Sequence, residues 1–292
     1  MTRDPISHVL VVGTGLVGGS LAGRIKAARP GTTVAGCDRS RRAGAALRGK
    51  GYLDHFAPIS RLAAEVESAE LVFLALPPAA IVESLAPVAR AARKGTIVTD
   101  VASVKGAVLA EARRAFRGSG AHFVGGHPLA GSERSGAAHA DHRLLKGATW
   151  CVVPPAGAPA RAVRRLERFL DSCGFRTLRV DARTHDRILA VTSHLPNLLA
   201  FALAELSGRL ALRAPLAPRL AGRSHRDATR VAASDPRLWA EILAMNSREV
   251  LRAIDGVACS LAAARTKIAA GRSLEFLRSA SRRHRDWLMS AP

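Results

Sequence analysis

Residues 8–20 read HVLVVGTGLVGGS, and this stretch decides the fold. Its first five residues form an apolar, β-branched run that predicts a buried strand, and the apolar spacing of residues 16–28 predicts a helix. Between them, Gly13, Gly15 and Gly18 have the G-x-G-x-x-G spacing. The first glycine permits the tight turn, the second lets backbone approach a pyrophosphate, and the third lets the helix pack on the strand.

The segment that follows points to the ligand of this turn. A second predicted strand, residues 33–37, ends at Asp38, twenty residues after Gly18, where a carboxylate can accept a hydrogen bond from a ribose 2′-hydroxyl. A glycine turn without a ligand is the alternative reading. We expect NAD, with NADP as a weaker alternative because Arg39 could accommodate a 2′-phosphate. The predicted cofactor-binding residues are Gly13, Gly15, Leu16, Val17, Gly18, Asp38 and Arg39.

Composition limits the class of protein. A chain of 292 residues with 48% hydrophobic residues and a mean hydropathy of +0.08 can bury a sizeable core, and we expect two domains. No apolar run approaches the ~18–20 residues of a membrane span, and the N-terminus has no signal-type apolar core, so a cytoplasmic protein is expected. The four scattered cysteines show no metal-binding spacing, which favours reduced thiols and no metal.

The formal charge of +21 raises the question of a nucleic-acid partner. Six of the 44 basic residues are lysine and the rest are arginine, spread along the whole chain. Aromatic residues make up 4%, which leaves little for bases to stack on, and no basic segment carries a nucleic-acid-binding motif. We interpret the arginine excess as compositional bias with some attraction of anionic substrates, and expect no nucleic-acid partner.

Hydrophobic patterning divides the chain near Asp181. Before it, apolar strands alternate with helices, which predicts a mostly parallel, doubly wound sheet in a Rossmann-like domain over residues 1–180. The rest, 181–292, predicts an all-helical domain. It contains a helix from Asp181 to about residue 207 with several apolar faces, an irregular connection over 210–227, and a long helix from Asp235-Pro236 toward residue 270. The later predicted strands are 71–76, 96–99, 122–125, 150–153 and 175–180.

Several segments combine polar residues in compact motifs. D-V-A-S-V-K-G at 100–106 and G-G-H-P-L-A-G-S at 125–132 each follow a predicted strand, the position where open α/β sheets bind ligands. The helical part contributes S-H-L-P-N at 193–197 and R-D-A-T-R at 226–230.

Taken in order, these blocks resemble the prephenate/arogenate dehydrogenase family, and the resemblance spans nearly the whole chain. GGHPLAGSE is its most specific block; GTGLVGGSLA, THD and RDATRVAASDPRLW complete it. The resemblance implies a Rossmann-like domain followed by a helical domain that forms a homodimer. It also implies NAD(P)-dependent oxidative decarboxylation of a cyclohexadienol in tyrosine biosynthesis. Prephenate dehydrogenase fits best; arogenate dehydrogenase and a dual-specificity cyclohexadienyl dehydrogenase are the alternatives, and a non-catalytic dinucleotide sensor is a more distant one.

The chemistry requires a group that takes the proton of the 4-hydroxyl, and a neutral imidazole is suited to this. The resemblance assigns that role to His127, whose alternative is to fix a glycine-rich turn. Ser103 matches the family serine that hydrogen-bonds this histidine, and helix capping is its alternative. The resemblance therefore makes His127 and Ser103 the predicted catalytic residues.

The predicted substrate-binding residues come from the helical part. Arg230 matches an arginine that grips a substrate carboxylate, and Trp239 matches an aromatic contributed by the neighbouring subunit, with a surface arginine and a core tryptophan as the alternatives. Asn197 departs from the histidine frequent in prephenate-specific members, as Ser224-His225 departs from a usual G-F pair, which leaves the choice of prephenate or arogenate open. The full set is Arg230, His194, Asn197, Asp227 and Trp239.

Overall fold

The computed structural model describes residues 6–130 and 134–290. The strands are β1 (His8–Val12), β2 (Thr33–Asp38), β3 (His55–Pro58), β4 (Leu71–Leu74), β5 (Ile97–Asp100), β6 (His122–Phe123), β7 (Gly125–Pro128), β8 (Thr149–Val153) and β9 (Arg176–Arg179). The helices are α1 (Leu16–Ala28), α2 (Arg41–Gly49), α3 (Leu62–Ser68), α4 (Pro78–Ala91), α5 (Gly106–Ala115), α6 (Ala160–Ser172), α7 (Ala182–Leu189), α8 (Leu195–Arg213), α9 (Ala217–Leu220), α10 (Arg223–Thr229), α11 (Pro236–Met245), α12 (Ser247–Ala269) and α13 (Ser273–Met289).

The main sheet has six parallel strands in the order β3-β2-β1-β4-β5-β6. The strand order reverses between β1 and β4, which creates the crevice where doubly wound sheets bind nucleotides. Successive residues of β1 point to opposite faces: Val9 and Val11 join one apolar cluster, while Leu10 and Val12 join the other. The predicted Rossmann-like sheet, covered on both faces, is confirmed. β3 and α3 were not predicted.

A second, smaller sheet pairs β7 antiparallel with β8, and β8 parallel with β9. The prediction of one strand over 122–125 is therefore wrong, because the chain leaves the main sheet after Phe123 and starts the second sheet at Gly125. Close packing explains why glycine stands there. A Cβ on Gly126 would lie only 2.6 Å from the Asp100 carbonyl oxygen and 2.7 Å from Trp150 Nε1.

The described residues 182–290 contain the predicted helices, but the bounds of these helices differ from the predicted ones. The predicted helix starts at Asp181 and Asp235 are confirmed: both residues are N-caps, and their carboxylates accept hydrogen bonds from backbone N–H groups of the helices that follow them. The helix after Asp181 continues to Arg213, and the segment predicted to be irregular contains α9 and α10. The predicted helix toward residue 270 is broken at Asn246, which ends α11.

The run from 182 to 213 is one continuous helical stretch, because a single π-helical turn, Ala190–His194, joins α7 to α8. Its most apolar 18-residue window has a mean hydropathy of 1.4, and 28% of that window is buried. By length and composition this stretch could cross a membrane, so the sequence-based statement that no such run exists is wrong. The same composition is typical of a helix that packs between subunits.

By compactness the chain divides into one unit ending at Asn246 and another beginning at Ser247. The boundary proposed after residue 180 follows the change from strands to helices, and it stays a prediction.

Two glycines of the first turn allow a matched stability test. A Cβ on Gly18 would lie 1.9 Å from the Gly13 carbonyl oxygen, whereas a Cβ on Gly15 meets nothing within 4 Å. Gly18→Ala should therefore lower the free energy of unfolding by about 1–3 kcal/mol, the usual effect of overpacking. Gly15→Ala should unfold at nearly the wild-type temperature and lose NAD affinity instead. Thermal unfolding with NAD titration checks both; equal melting temperatures would contradict the packing argument.

Candidate active site

The turn after β1 leads into the N-terminus of α1, which has no side-chain cap in the described part of the chain. Gly13 has φ +91° and lies so close to the backbone of Ala75 that a side chain would collide with it. Gly15 is the N-cap of α1, and no side chain among the described residues caps that helix. Open N–H groups at a helix N-terminus, beside a glycine with free space, suit a pyrophosphate.

Asp38 lies at the carboxyl end of β2 and is half-buried. Its Oδ2 accepts hydrogen bonds from the backbone N–H and the hydroxyl of Thr14, at 2.5 and 3.0 Å, and its Oδ1 accepts one from Ser40 N at 2.9 Å. These contacts tie the carboxylate to the glycine turn. Arg39 is exposed beside it. The residues at this edge therefore fit a dinucleotide with an unmodified ribose.

A cleft of about 390 Å³ opens at the reversal point of the main sheet. It is lined by residues that follow β1, β4 and β5, by β7 and by α11; among them are Leu16, Val17, Ala75, Ser103, His127 and Ile242. The fold thus brings the predicted catalytic pair into one cleft with the predicted cofactor turn. Residues 131–133 of the GGHPLAGSE block lie outside the described residues.

A buried ion pair holds the backbone next to His127. Lys105 and Asp100 are both fully buried, and Lys105 Nζ donates to Asp100 Oδ2 and, at 2.7 Å, to the Gly126 carbonyl oxygen. Asp100 Oδ1 accepts from Gly126 N at 3.0 Å. Burial lowers the pKa of Lys105, and the Asp100 carboxylate opposes that shift. Both the N–H and the C=O group of Gly126, the residue before His127, are therefore hydrogen-bonded to this ion pair.

His127 is 8% exposed, and its Nδ1 lies 3.0 Å from Nε2 of His185. His185 in turn places its Nδ1 2.7 Å from Asp186 Oδ1. Burial lowers the pKa of His127 well below the ordinary 6.5, and the positive charges that His185, Lys105 and His194 carry when protonated lower it further. His127 is consequently a neutral base at neutral pH.

Asp186 connects this chain of side chains to α5. Its Oδ1 accepts from Lys105 N at 2.8 Å, and its Oδ2 accepts from Gly106 N at 2.7 Å, so it caps the N-terminus of α5. Burial alone would raise the pKa of Asp186, but hydrogen bonds from His185 and these two N–H groups lower it overall. The alternative role of Ser103 as a helix cap is not observed in the described residues. The carboxylate that caps α5 is that of Asp186, on α7.

His194 is fully buried on the π-helical turn. Asn246 Nδ2 donates to His194 Nδ1 at 3.1 Å and to the Asp186 carbonyl oxygen at 2.8 Å. Burial lowers the pKa of His194 to about 4. The ring of Trp239 lies edge-on at 6.3 Å from the His194 ring of its own chain, so within one chain the tryptophan already contacts a predicted site residue.

Asn197, Asp227 and Arg230, like His194 and Trp239, are not among the described residues that line the cleft. Asn197 is half-buried; its Nδ2 donates to Ser193 O at 3.1 Å, and its buried Oδ1 accepts no hydrogen bond from a described residue. Asp227 and Arg230 are exposed on and just after α10, and Asp227 pairs with Arg223 at 3.4 Å. Neither Arg230 nor Asp227 is among the described residues that line the cleft beside His127.

Five residues of the site were given no role by sequence reasoning. Two motifs contained four of them, D-V-A-S-V-K and T-H-D, but spacing alone gave no reason to join segments about 80 residues apart. A charged pair inside otherwise apolar surroundings was the available signal. The residues are Asp100, Lys105, His185, Asp186 and Asn246.

Comparison with known proteins gives two family matches. The model described as the prephenate dehydrogenase nucleotide-binding domain matches residues 21–179, and the one described as the prephenate dehydrogenase dimerization domain matches residues 181–280.

Individual relatives agree with these matches. A prephenate dehydrogenase from Lactococcus lactis subsp. cremoris is 31% identical over 251 residues, covering 86% of this chain and 68% of the relative. A cyclohexadienyl dehydrogenase from Zymomonas mobilis subsp. mobilis is 35% identical over 268 residues, covering 90% and 88%. The crystal structure of A. aeolicus prephenate dehydrogenase with hydroxyphenyl propionate and NAD+ has a TM-score of 0.87 and 25% identity, covering 98% of this chain and 99% of that one.

The buried ion pair supports a prediction about stability. Lys105→Met leaves the Asp100 carboxylate buried without its cation, which should lower the free energy of unfolding by about 3–5 kcal/mol. Adding Asp100→Asn should recover part of that loss, because a neutral amide is less costly to bury. Lys26→Met, at the more exposed Lys26–Asp54 pair, is the control and should cost at most about 1 kcal/mol. Urea unfolding measures all three, and a Lys105→Met variant as stable as the control would refute the argument.

Proposed function

The chain belongs to the prephenate dehydrogenase family, and we propose that it catalyses the NAD-dependent oxidative decarboxylation of prephenate to 4-hydroxyphenylpyruvate in tyrosine biosynthesis. One observation carries the proposal: a buried, neutral imidazole, His127, shares a cleft with the glycine turn that fits the dinucleotide. The family matches over both halves of the chain support the same reaction.

The mechanism follows from what the side chains can do. The 4-hydroxyl of the substrate must lose its proton while a hydride leaves C4, and carbon dioxide departs as the ring becomes aromatic. NAD, when bound, supplies the hydride acceptor. His127 has the low pKa of a base that stays unprotonated at neutral pH, so it can take the hydroxyl proton. Ser103, half-buried in the same cleft, offers a hydroxyl to the reacting end of the substrate.

We also propose that the enzyme is a homodimer whose two copies pair through the helical part. Several large apolar side chains there are exposed in the single chain, among them Leu206, Leu210, Leu261, Ile268 and Leu277. Pairing with a second copy would cover such surface, and the dimerization-domain match spans it. A partner could also bring a second Arg230 and Trp239 to the cleft. We further propose a cytoplasmic location, with neither nucleic acid nor membrane as partner.

Arogenate is the alternative substrate, alone or together with prephenate. It differs by an amino group in place of the side-chain keto oxygen. The buried Oδ1 of Asn197 accepts no hydrogen bond from the described residues, and an acceptor of this kind suits an ammonium group as well as a neutral donor. The similarity to a cyclohexadienyl dehydrogenase also keeps dual specificity open.

Steady-state kinetics with prephenate and arogenate, each with NAD and NADP, test the function directly. Prephenate with NAD should give the highest kcat/KM, and His127→Ala should lower kcat by about 10²–10⁴-fold with NAD binding retained. Because His127 must be neutral and its pKa lies below the ordinary 6.5, kcat should fall only as the pH drops below that value. An enzyme inactive on both substrates, or a His127→Ala variant with normal kcat, would refute the proposal.

Arg230 provides the test of substrate binding. Arg230→Ala should raise the KM for prephenate by the equivalent of about 2 kcal/mol, since a substrate carboxylate loses a charged, two-pronged donor. Arg230→Lys should recover only part of the loss. Arg219→Ala, an exposed arginine on α9, is the matched control. Unchanged prephenate KM, or equal increases in the KM values of prephenate and NAD, would make Arg230 a structural residue.

A further inference from the structure

The hydrogen bonds behind His127 have a fixed direction. The Asp186 carboxylate accepts hydrogen bonds from two backbone N–H groups, and its pKa is lowered. It is therefore ionised and can only accept hydrogen bonds. His185 Nδ1, 2.7 Å away, must therefore carry the proton that it donates to Asp186. With His185 neutral, its other ring nitrogen, Nε2, is the acceptor.

The same rule applies one step further along. His127 Nδ1 lies 3.0 Å from that accepting nitrogen, so Nδ1 is protonated and Nε2 holds the lone pair. Free histidine prefers the opposite tautomer, with the proton on Nε2, and in that state Nε2 could not accept a proton from a substrate hydroxyl. The arrangement thus selects the reactive tautomer.

We propose that His185 and Asp186 form a positioning dyad that holds His127 in the tautomer whose Nε2 is the catalytic base. The dyad also fixes the ring, because three hydrogen bonds connect the N-terminal end of α5 through α7 to β7. After Nε2 takes the substrate proton, Nδ1–H still donates to His185, and the charge of the imidazolium is balanced by the Asp186 carboxylate.

The inference rests on the proposed function for its kinetic part only. Protonation of the ring nitrogens is visible by ¹⁵N-detected NMR of the apoprotein, without any turnover. Wild-type His127 should show a protonated Nδ1 and an unprotonated Nε2. His185→Phe keeps the ring shape without hydrogen bonds, and there His127 should change to the Nε2-protonated form.

Kinetics provide the second measurement. His185→Phe should lower kcat by about 10²-fold or more, the scale of positioned acid–base catalysis, with the KM for NAD within twofold of wild type. His185→Gln can present an amide oxygen to His127 Nδ1, and should recover at least about tenfold of that loss. His142→Phe, which removes a histidine that contacts Tyr52, is the matched control and should leave both kcat and the His127 signals unchanged.

The acid limb of kcat provides a third measurement. Among the described residues, the charged and titratable groups around His127 are His185, Lys105, His194, Asp186 and Asp100, with Cys151 opposite it in the second sheet and Arg134 in the lining of the same cleft. His185→Phe removes the acceptor for His127 Nδ1 and its link to the Asp186 carboxylate. The pH at which kcat falls on the acid side should therefore shift. A purely structural role of His185 would leave that pH unchanged. A wild-type His127 protonated on Nε2, or a folded His185→Phe variant with kcat within twofold of wild type, would overturn the dyad. If His185→Phe fails to fold, the wild-type tautomer decides.

Discussion

The Asp186 carboxylate is the interaction on which the arrangement of the site depends. It accepts three hydrogen bonds, two from the first turn of α5 and one from His185, while its own backbone carbonyl accepts a fourth from Asn246. A negative charge at a helix N-terminus is stabilised by the helix dipole, so burying this carboxylate there costs less than it would elsewhere. One residue thereby joins a helix of the nucleotide-binding sheet to the helices that carry His194.

A second constraint acts from the opposite side of His127. The Lys105–Asp100 pair holds Gly126 through both of its backbone groups, and the chain can pass so closely only because position 126 has no side chain. Lys105 takes part in both constraints, since its backbone N–H binds Asp186 and its ammonium binds Asp100. The imidazole of His127 is therefore positioned by rigid elements rather than by a loop.

Sequence patterns predicted the sheet because its strands are apolar and its first turn needs glycines. They predicted His127, Ser103 and the cofactor residues through motifs that are contiguous in the chain. They missed the division of residues 122–125 between two sheets, because the sequence HFVG gives no sign of a change of partner strand. They also missed the link from His127 to His185, which joins residues 58 positions apart and depends on tertiary packing. Arg230 and Asp227 remain motif-based predictions, since a single chain leaves them exposed.

The short helix α7 has a consequence for how activity responds to temperature. It forms the first turns, Ala182–Leu189, of the helical stretch that continues through the π-helical turn to Arg213, and it carries both members of the dyad. Terminal turns of a helix depend on their tertiary contacts and open locally at free energies below that of global unfolding. Each opening of α7 would release His127 to its intrinsic tautomer while the sheet and the cleft stay intact. Warming should therefore reduce the fraction of competent enzyme before any unfolding of the sheet is detectable, and hydrogen exchange of the α7 amides would report that fraction.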